Sequence, residues 1–402
     1  MSTVTRERTV VVDGQVTHGF EAVREAFADN FERRGEVGGA CCVYRYGEKI
    51  VDLWGGVRDK ESREPWQRDT MVLVWSASKG LAAMTLAIAH SRGLLDYDER
   101  IVTYWPEFGQ HGKETITIRQ LLAHQAGLFA FDEPVGPELL ADLDRLAVVL
   151  ARQRPAWKPG LRQAYHAISL GFYEGELIRR VDPQHRSLGQ FFQEEIATRL
   201  GENVFIRLPS EVANTRLASL APPSALAMLR GLPPRLMLDS MNHRSIVYRA
   251  LLDNPGCAFI RDKDHVYARN LEVPSGGAVG TARGIAHAYG VFASDGRELG
   301  LEPTTLQLLD EPATPPSSGT FYDEFFRGHV EFSLGFMKPG GVWLFGGPRS
   351  FGAPGAGGSF GFADPDAGIG YAYVTSQMGT SLTGDPRDVA LRDAVYSSIR
   401  RA

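Results

Sequence analysis

A serine and a lysine spaced three residues apart form the clearest nucleophile–base pair in the sequence. Ser76 and Lys79 lie within residues 74–80, immediately before the apolar run of residues 81–89. On a helix, side chains three positions apart share a face and can contact each other. A serine hydroxyl needs a base beside it, and a lysine can be that base when burial lowers its pKa, because desolvation disfavours the ammonium. The pair therefore predicts a serine nucleophile activated by Lys79.

The same spacing has a simpler interpretation, which is an ordinary polar helix start. A serine with a lysine three residues later arises by chance about once in a few hundred residues. In this chain, however, lysine is scarce and no serine other than Ser76 has a lysine at that distance. The functional interpretation then depends on whether the rest of the chain supplies partners for Ser76.

Composition limits the classes of fold and partner. The chain has 402 residues, of which 43% are hydrophobic and 23% are charged, so it is globular and can form one to three domains. Its net charge of −5, with acidic and basic residues mixed, argues against binding to nucleic acid or to an anionic membrane. Residues 1–8 contain no apolar segment and no run is long enough to span a bilayer, which favours a cytoplasmic protein. A small molecule is the expected partner.

The N-terminal part of the chain shows one helical pattern and several strand patterns. Residues 19–34 have the apolar periodicity of an amphipathic helix. Residues 40–46 and 49–54 are rich in Val, Tyr and Trp and predict a β-hairpin. Residues 70–74 predict a further strand, which leads directly to the nucleophile motif.

Strand patterns return near the C-terminus. Residues 342–345 and 369–374 are strand-like and flank a glycine-rich passage. Asp385 and Pro386 are typical of a helix N-cap and first turn, so they predict a closing helix over residues 387–400. The strands at the two ends of the sequence are expected to form one sheet.

Helical patterns dominate the middle of the chain. Residues 115–128 predict a helix ended by Gly127, and residues 138–152 predict a second one. Tyr165 is expected to begin an amphipathic segment that continues to Val181. The irregular residues 201–274, rich in Pro, Leu and Met, suit a cap over an apolar pocket or, alternatively, a surface insertion.

These patterns predict an α/β (α+β) protein of two regions. Residues 1–80 and 275–402 are expected to form a sheet domain, and residues 81–274 a mostly helical domain inserted into it.

Four short motifs, taken in order, make the prediction more specific. They are Ser76-Ala77-Ser78-Lys79, residues 121–128 (LLAHQAGL), Trp157-Lys158-Pro159-Gly160 followed by Tyr165, and the glycine-rich residues 352–358 followed by residues 359–365. In this order the chain resembles the superfamily of serine β-lactamases and penicillin-binding proteins, and within it the class C-like branch of family VIII carboxylesterases. The resemblance implies a β-lactamase/transpeptidase-like fold, with an antiparallel sheet flanked by the N- and C-terminal helices and an inserted, mostly helical region.

The resemblance also implies roles for individual residues. Lys79 corresponds to the activating base, and Tyr165 to a catalytic tyrosine whose phenolate shares the proton transfer. The alternative for Tyr165 is a core aromatic residue at the start of a helix. The oxyanion hole is expected from the backbone amides of Ser76 and Ala356.

Two motifs depart from the lactamase pattern. Where the lactamases have Tyr-x-Asn, this chain has Tyr165-His166-Ala167, and where they have Lys-Thr-Gly it has Ala353-Pro354-Gly355. No amide is left to hold a lactam side chain, and no basic group to attract a β-lactam carboxylate. His166, Ala353 and Gly355 are nevertheless predicted to lie at the substrate site. For His166 a purely structural role is the alternative, and His124 is expected to brace the loop after its helix.

A second serine also matches a nucleophile motif. Residues 357–361 fit Gly-x-Ser-x-Gly, but the α/β-hydrolases that use this motif need a histidine after the serine. The last histidine of this chain is His329, so Ser359 is not expected to be the nucleophile.

Neither the cysteines nor the histidines predict a metal site. Cys41, Cys42 and Cys257 have no metal-binding spacing and are expected to be reduced and buried. The ten histidines contain no zinc-protease pattern, so neither a metal nor another cofactor is expected.

The sequence therefore predicts a cytoplasmic serine carboxylesterase acting on a small-molecule ester through an acyl-enzyme on Ser76. Three alternatives remain open: a β-lactamase or peptidase, an acyltransferase, and a ligand-binding protein on a degenerate lactamase scaffold. The acyl chain length, the alcohol and the oligomeric state are not specified by the sequence.

Overall fold

A large antiparallel sheet runs through the computed structural model, which describes residues 11–253, 269–381 and 383–401. The strands are β1 (Val12–Val16), β2 (Gly38–Arg45), β3 (Glu48–Gly56), β4 (Val72–Leu73), β5 (Val204–Phe205), β6 (Val279–Gly280), β7 (Tyr322–Asp323), β8 (Gly328–His329), β9 (Glu331–Ser333), β10 (Phe336–Lys338), β11 (Phe351–Pro354), β12 (Phe360–Asp364) and β13 (Ile369–Thr375). Eight of them form this sheet in the order β1-β3-β2-β13-β12-β11-β10-β9. Strands β4, β6 and β5 form a small separate sheet.

Helices cover both faces of the large sheet and fill the middle of the chain. They are α1 (Glu21–Arg33), α2 (Ser78–Ser91), α3 (Ile101–Tyr104), α4 (Ile118–Leu122), α5 (Pro137–Leu140), α6 (Leu143–Arg152), α7 (Leu170–Val181), α8 (Leu188–Phe192), α9 (Ala225–Gly231), α10 (Pro234–Met241), α11 (Ile246–Leu251), α12 (Ala282–Phe292), α13 (Pro303–Asp310) and α14 (Pro386–Ile399). The predicted fold class, an antiparallel sheet with flanking helices and an inserted helical region, is confirmed.

The two ends of the sequence meet in the centre of the large sheet. Strand β2 pairs antiparallel with β13, so that Cys41 lies opposite Tyr373. On one face, Val23 and Phe27 of α1 join Leu391 and Val395 of α14 in a buried apolar cluster. The other face packs against α12 and, beyond it, the helical region. The division into domains at residues 80 and 275 stays a prediction.

The sequence analysis missed one strand and placed another where none forms. Strand β1 pairs along β3 at the sheet edge, and its residues are alternately half-buried and exposed, so its apolar pattern is weak. Residues 342–345 are irregular, and Val342 and Leu344 are exposed. Trp343, Leu344 and Phe345 line a cavity instead, which accounts for their apolar side chains.

Three predicted helices are shorter than expected. The predicted helix over residues 115–128 is only α4, because His124 adopts a left-handed φ of 59° and turns the chain away. The helix over residues 138–152 is interrupted before α6, where the Asp142 side chain accepts a hydrogen bond from the Arg145 amide as an N-cap. Tyr165 lies in an extended segment, and α7 begins only at Leu170.

The two described cysteines agree with the prediction. Cys41 and Cys42 are free and buried on β2, and burial raises the pKa of both thiols. Cys257 and the predicted leaderless start, residues 1–8, lie outside the described residues. Within the described ranges there is neither a helix long and apolar enough to cross a bilayer nor a metal-binding group of three His, Cys, Asp or Glu side chains.

Candidate active site

Ser76 lies in a tight turn at the entrance to α2. A 3₁₀ turn, Trp75–Ala77, continues directly into the helix at Ser78. Trp75 has a φ of 50°, a left-handed conformation that is strained for a large side chain. The Ser78 hydroxyl fixes this turn, because it donates to the Trp75 carbonyl and accepts from the Ala278 amide at 2.9 Å. The turn therefore holds Ser76 in one position at the helix N-terminus.

Lys79 is 2% exposed and its amine is enclosed by three oxygen atoms. Nζ lies 2.6 Å from the Ala167 carbonyl, 2.8 Å from the Ser275 carbonyl and 3.3 Å from Ser76 Oγ. A neutral amine has two hydrogens and one lone pair. An ammonium would donate to all three oxygens, but in the neutral amine the two carbonyls, which can only accept, take both hydrogens and the lone pair is left for the Ser76 hydroxyl. This is the arrangement that a general base requires.

The protonation state of Lys79 is compatible with that role. Burial lowers the pKa of Lys79 to about 7, while the negative charge of Glu174 partly opposes this shift. Desolvation penalises the ammonium because it removes the water that solvates the charge. Near neutral pH a large fraction of Lys79 is therefore the free amine.

Tyr165 completes the group with a hydroxyl that hydrogen-bonds Ser76. Its ring stacks on Phe332 at 5.8 Å and contacts Phe325 and Phe326, and Lys79 Nζ lies 4.6 Å from the ring centroid. Burial raises the pKa of Tyr165 well above its ordinary value, although the hydrogen bond with Ser76 opposes this shift. The resting residue is thus a neutral phenol, able to relay a proton, and not the phenolate suggested by the resemblance.

The two histidines near Tyr165 are structural. His166 is fully buried, its Nε2 accepts from the Leu128 amide at 3.0 Å, and its Nδ1 bonds the Ala164 carbonyl at 2.7 Å. His124 Nδ1 accepts from the His166 amide at 3.0 Å, as expected for a residue that braces this loop. The prediction of a substrate contact for His166 is corrected, because both of its ring nitrogens are used inside the protein.

The third motif brings its loop against the nucleophile turn. Gly355 approaches Val74 so closely that a Cβ on Gly355 would lie 2.2 Å from the Val74 carbonyl oxygen. Only glycine allows this approach. The close approach of the two segments places Gly355 and Ala356 in the wall of the cavity that Ser76 also lines.

Ala353 does not reach that cavity. It is 4% exposed, and its Cβ lies 3.2 Å from the point where a Cβ on Gly80 would stand. Its side chain therefore packs against the start of α2. The prediction that Ala353 contacts substrate is corrected.

Ser76 and Tyr165 line one cavity of about 400 Å³. This volume falls in the range of small-molecule sites. Much of its wall is apolar: Leu236, Leu251, Phe325, Phe326, Met337, Trp343, Leu344, Phe345 and Phe360. The residues from α10 and α11 come from the irregular segment 201–274, which supports the prediction of a cap for its described part.

Most cationic side chains in the cavity wall are paired with carboxylates. Arg327 bonds Asp239 at 2.9 Å, and Arg392 bonds Asp388 at 2.8 Å. Arg235, also in the wall, is exposed to solvent. Neither Arg327 nor Arg392 is therefore a free positive charge in the cavity wall.

Ser359, the competing nucleophile, lies in a different kind of turn. It is 3% exposed and precedes β12 in a hairpin with β11, where its carbonyl accepts from the Gly355 amide at 2.7 Å. The nucleophile elbow requires a strand-to-helix turn. The turn at Ser359 is therefore not a nucleophile elbow, in agreement with the order of the histidines, which already argued against Ser359 as the nucleophile.

Sequence reasoning missed several groups that position the site. The Ala167 and Ser275 carbonyls hold Lys79, and Phe325 and Phe326 pack on Tyr165. Backbone carbonyls leave no signal in a sequence, because every residue has one. The Ala167 carbonyl binds Lys79 at the position where the lactamase motif has its asparagine.

Comparisons with known proteins agree with this geometry. A family model described as "Beta-lactamase" matches residues 23–395. The chain is 30% identical over 402 residues to "Esterase/beta-lactamase LipL" of Mycobacterium tuberculosis (strain ATCC 25618 / H37Rv), covering 97% of this chain and 88% of the relative.

Two solved structures are similar over almost the whole chain. A family VIII carboxylesterase has 34% identity and a TM-score of 0.84, covering 96% of this chain and 100% of that one. A penicillin-binding protein homologue from Caulobacter crescentus has 32% identity and a TM-score of 0.82, with 96% and 100% covered.

Proposed function

The chain belongs to the beta-lactamase family, and from this membership we propose that it is a serine carboxylesterase that works through an acyl-enzyme on Ser76. The observation that carries the proposal is the position of the buried Lys79 amine, which lies 3.3 Å from Ser76 Oγ and whose neutral form can give both of its hydrogens to the Ala167 and Ser275 carbonyls. A serine next to a buried, deprotonated base is an activated nucleophile.

The proposed reaction begins with attack on the ester. Ser76 Oγ adds to the carbonyl carbon while its proton passes to the Lys79 amine, and the amides of Ser76 and Ala356 receive the oxyanion. One such donor contributes roughly 3 kcal/mol to transition-state stabilisation. When the tetrahedral intermediate collapses, the alcohol leaves with a proton delivered from Lys79 through the Tyr165 hydroxyl. Ser76 then carries the acyl group.

Water completes the cycle by the reverse proton path. It attacks the acyl carbonyl as its proton passes to Lys79, and the second collapse returns the proton to Ser76 Oγ and releases the acid. No group beyond the protein and water is needed for this balance.

The cavity favours a neutral, apolar ester over a β-lactam. Its wall is largely aromatic and aliphatic, and Arg327 and Arg392 are already paired with carboxylates. Neither Arg327 nor Arg392 is free to bind a β-lactam carboxylate, and Ala353 supplies no charge at the third motif, so Arg235, which is exposed to solvent, is the one arginine of the wall left outside such a pair in the described part of the chain. A volume of about 400 Å³ accommodates a bulky acyl or alcohol group.

Hydrolysis of p-nitrophenyl esters of increasing chain length tests the proposal, with nitrocefin as the comparison substrate. We expect ester hydrolysis faster than nitrocefin hydrolysis, and Ser76→Ala should reduce ester turnover by at least a factor of about 10³. The control is Ser359→Ala, which should keep the activity within a few fold. Full activity of Ser76→Ala, or faster turnover of nitrocefin than of any ester, would contradict the proposal.

The printed name of the mycobacterial relative joins an esterase with a beta-lactamase, which is why nitrocefin belongs in the assay. A fluorophosphonate probe distinguishes the non-catalytic alternative, because a ligand-binding protein on a degenerate scaffold would leave Ser76 unlabelled. Cytoplasmic location is part of the proposal as well, since Cys41 and Cys42 are free thiols.

A further inference from the structure

Arg392, on α14, is the most buried arginine in the wall of the cavity around Ser76. It is 9% exposed, whereas Arg235 and Arg327 are exposed to solvent. Its guanidinium lies 5.5 Å from the centre of the Phe360 ring, which also lines the cavity. Binding cavities for small molecules combine an apolar wall with a few well-placed polar groups, and these groups determine which substituents are recognised. Arg392 is a polar group of this kind.

Asp388 offsets the charge of Arg392. Arg392 Nε donates to Asp388 Oδ2 at 2.8 Å, and the Tyr371 hydroxyl donates to Oδ1 of the same carboxylate at 2.9 Å. Asp388 also lines the cavity. An anionic substituent would therefore meet a carboxylate beside the guanidinium, so that repulsion and attraction largely cancel. This part of the cavity favours a neutral group.

Hydrogen-bond donors of the guanidinium remain unused after its contacts within the protein. An arginine has five N–H donors and no acceptor. Nε is bonded to Asp388, and Nη1 donates to the Leu344 carbonyl at 2.9 Å, but Nη2 donates to no residue of the described ranges. A Cβ on Gly384, which lines the cavity, would lie 4.0 Å from Arg392 Nη2. The two N–H donors of Nη2 therefore border the cavity and are available to a molecule in it.

The orientation of the guanidinium is fixed before a ligand binds. The contacts with the Asp388 carboxylate, the Leu344 carbonyl and the Phe360 ring hold it in place. A ligand therefore does not have to order a long, mobile side chain, which would reduce its affinity. Because a hydrogen bond depends on both distance and angle, a fixed donor also distinguishes where an acceptor atom lies along the ligand.

We propose that Arg392 is a specificity-determining residue whose Nη2 binds a neutral oxygen atom of the substrate, at a distance from the ester bond that Ser76 attacks. The inference rests on the proposed function, because the molecule in the cavity is then the ester substrate. The substrate class is an apolar ester that carries a second carbonyl or ether oxygen. At the matching position this oxygen exchanges its hydrogen bonds to water for one to Nη2, whereas elsewhere along the apolar wall it loses water without replacement.

The test compares straight-chain p-nitrophenyl esters in which a carbonyl group replaces, in turn, each methylene group of the acyl chain beyond those adjacent to the ester. A second series places the carbonyl group in the alcohol of an alkyl ester, because either part of the substrate is able to reach Arg392, and titration of the released acid measures its hydrolysis. In one series, kcat/KM should be highest at a single carbonyl position and should exceed that of the unsubstituted ester. A carboxylate at that position should lower kcat/KM, because Asp388 repels it.

Two variants of Arg392 remove the donor. Arg392→Met should lower the ratio of kcat/KM between the best oxo ester and the unsubstituted ester by about tenfold. Arg392→Lys keeps a positive charge beside Asp388 but has no Nη2, so it should lose the same preference, and it serves in case Arg392→Met does not fold. Arg387→Met is the matched control, because Arg387 is a buried arginine of the same helix that pairs with Asp385 at 2.8 Å and is not part of the cavity wall. It should change kcat/KM of both esters by the same factor.

Failure of this subsite and failure of the proposed function give different results. If kcat/KM does not depend on the carbonyl position in either series, while hydrolysis still depends on Ser76, the subsite is overturned and the esterase stays intact. The subsite is also overturned if both Arg392 variants keep the preference, if Arg387→Met loses it equally, or if the carboxylate substrate is hydrolysed fastest. If the unmodified protein hydrolyses no ester in a manner that depends on Ser76, the proposed function fails, and the subsite with it.

Discussion

Gly80, the residue after Lys79, packs against the hydroxyl of Tyr289. A Cβ on Gly80 would lie 1.8 Å from Tyr289 Oη, and that hydroxyl is buried without a hydrogen-bond partner within the described part of the chain. The absence of a side chain at position 80 allows α12 to approach α2 directly behind the base. Glycine is expensive in a helix, so its presence here reflects this close contact.

We predict that Gly80→Ala destabilises the protein by about 1–3 kcal/mol, because its methyl group overlaps Tyr289. Tyr289→Phe should be neutral or stabilising, since the hydroxyl it removes is unpaired. In the Tyr289→Phe background, Gly80→Ala should lower the free energy of unfolding by a smaller amount. Some overlap remains, because a Cβ on Gly80 would still lie 3.0 Å from the ring carbon that carries the Tyr289 hydroxyl.

Urea unfolding of the four proteins in this cycle measures the coupling between positions 80 and 289. Gly175→Ala serves as the control, because a Cβ there meets only Leu188 at 3.9 Å and has room. It should stabilise α7 by about 0.5–1 kcal/mol. If the changes in unfolding free energy caused by Gly80→Ala and Tyr289→Phe simply add in the double variant, the proposed overlap between positions 80 and 289 is contradicted.

At the scale of elements, the closing helix α14 supports the proposed oxyanion loop. Arg387 is 3% exposed at the start of this helix. Its Nη2 donates to the Gly357 carbonyl at 3.0 Å, its Nε bonds Asp385 at 2.8 Å, and its Nη1 lies 3.4 Å from Glu36. The Glu36 carboxylate also accepts from the Tyr373 hydroxyl. One side chain thus connects the start of α14 and the segment between α1 and β2 to the loop that contains Ala356.

Arg387→Met should destabilise the protein by about 3–5 kcal/mol, because it leaves buried carboxylates without their partner. It should also lower kcat more than it raises KM, since the Gly357 carbonyl next to the proposed oxyanion amide loses its donor. Thermal unfolding and steady-state kinetics measure the two effects. Arg400→Met, at the exposed end of the same helix, should change stability by less than about 0.5 kcal/mol. Equal melting temperatures for the two variants would refute this role of Arg387.

At the scale of the whole molecule, the sequence predicted those helices and strands whose local residue patterns agree with the fold. The hairpin of β2 and β3 was predicted within a few residues from its Val, Tyr and Trp content, α1 from its apolar periodicity, and α14 from its N-cap Asp385 and first-turn Pro386. The antiparallel sheet came from the order of four motifs that resemble a known family. Strand β1 was not predictable in this way, because its apolar periodicity is weak. The end of α4 was not predictable either, because the backbone turn at His124 stops the helix.

The same division applies to the candidate site. Ser76 and Lys79 were identified by residue type and spacing and Tyr165 by the family resemblance, and the fold brings the three side chains together. The inward burial of His166 and Ala353 was not predictable, because it depends on packing between segments far apart in sequence.

The central claim is that Ser76 carries the acyl group, and mass spectrometry of the trapped intermediate tests it most directly. The protein is quenched with acid during turnover of a p-nitrophenyl ester, digested, and its peptides are analysed for the mass of the acyl group. We predict that the added mass lies on Ser76 and is absent in Ser76→Ala. An acyl group on Ser359, or undiminished ester turnover by Ser76→Ala, would contradict the account.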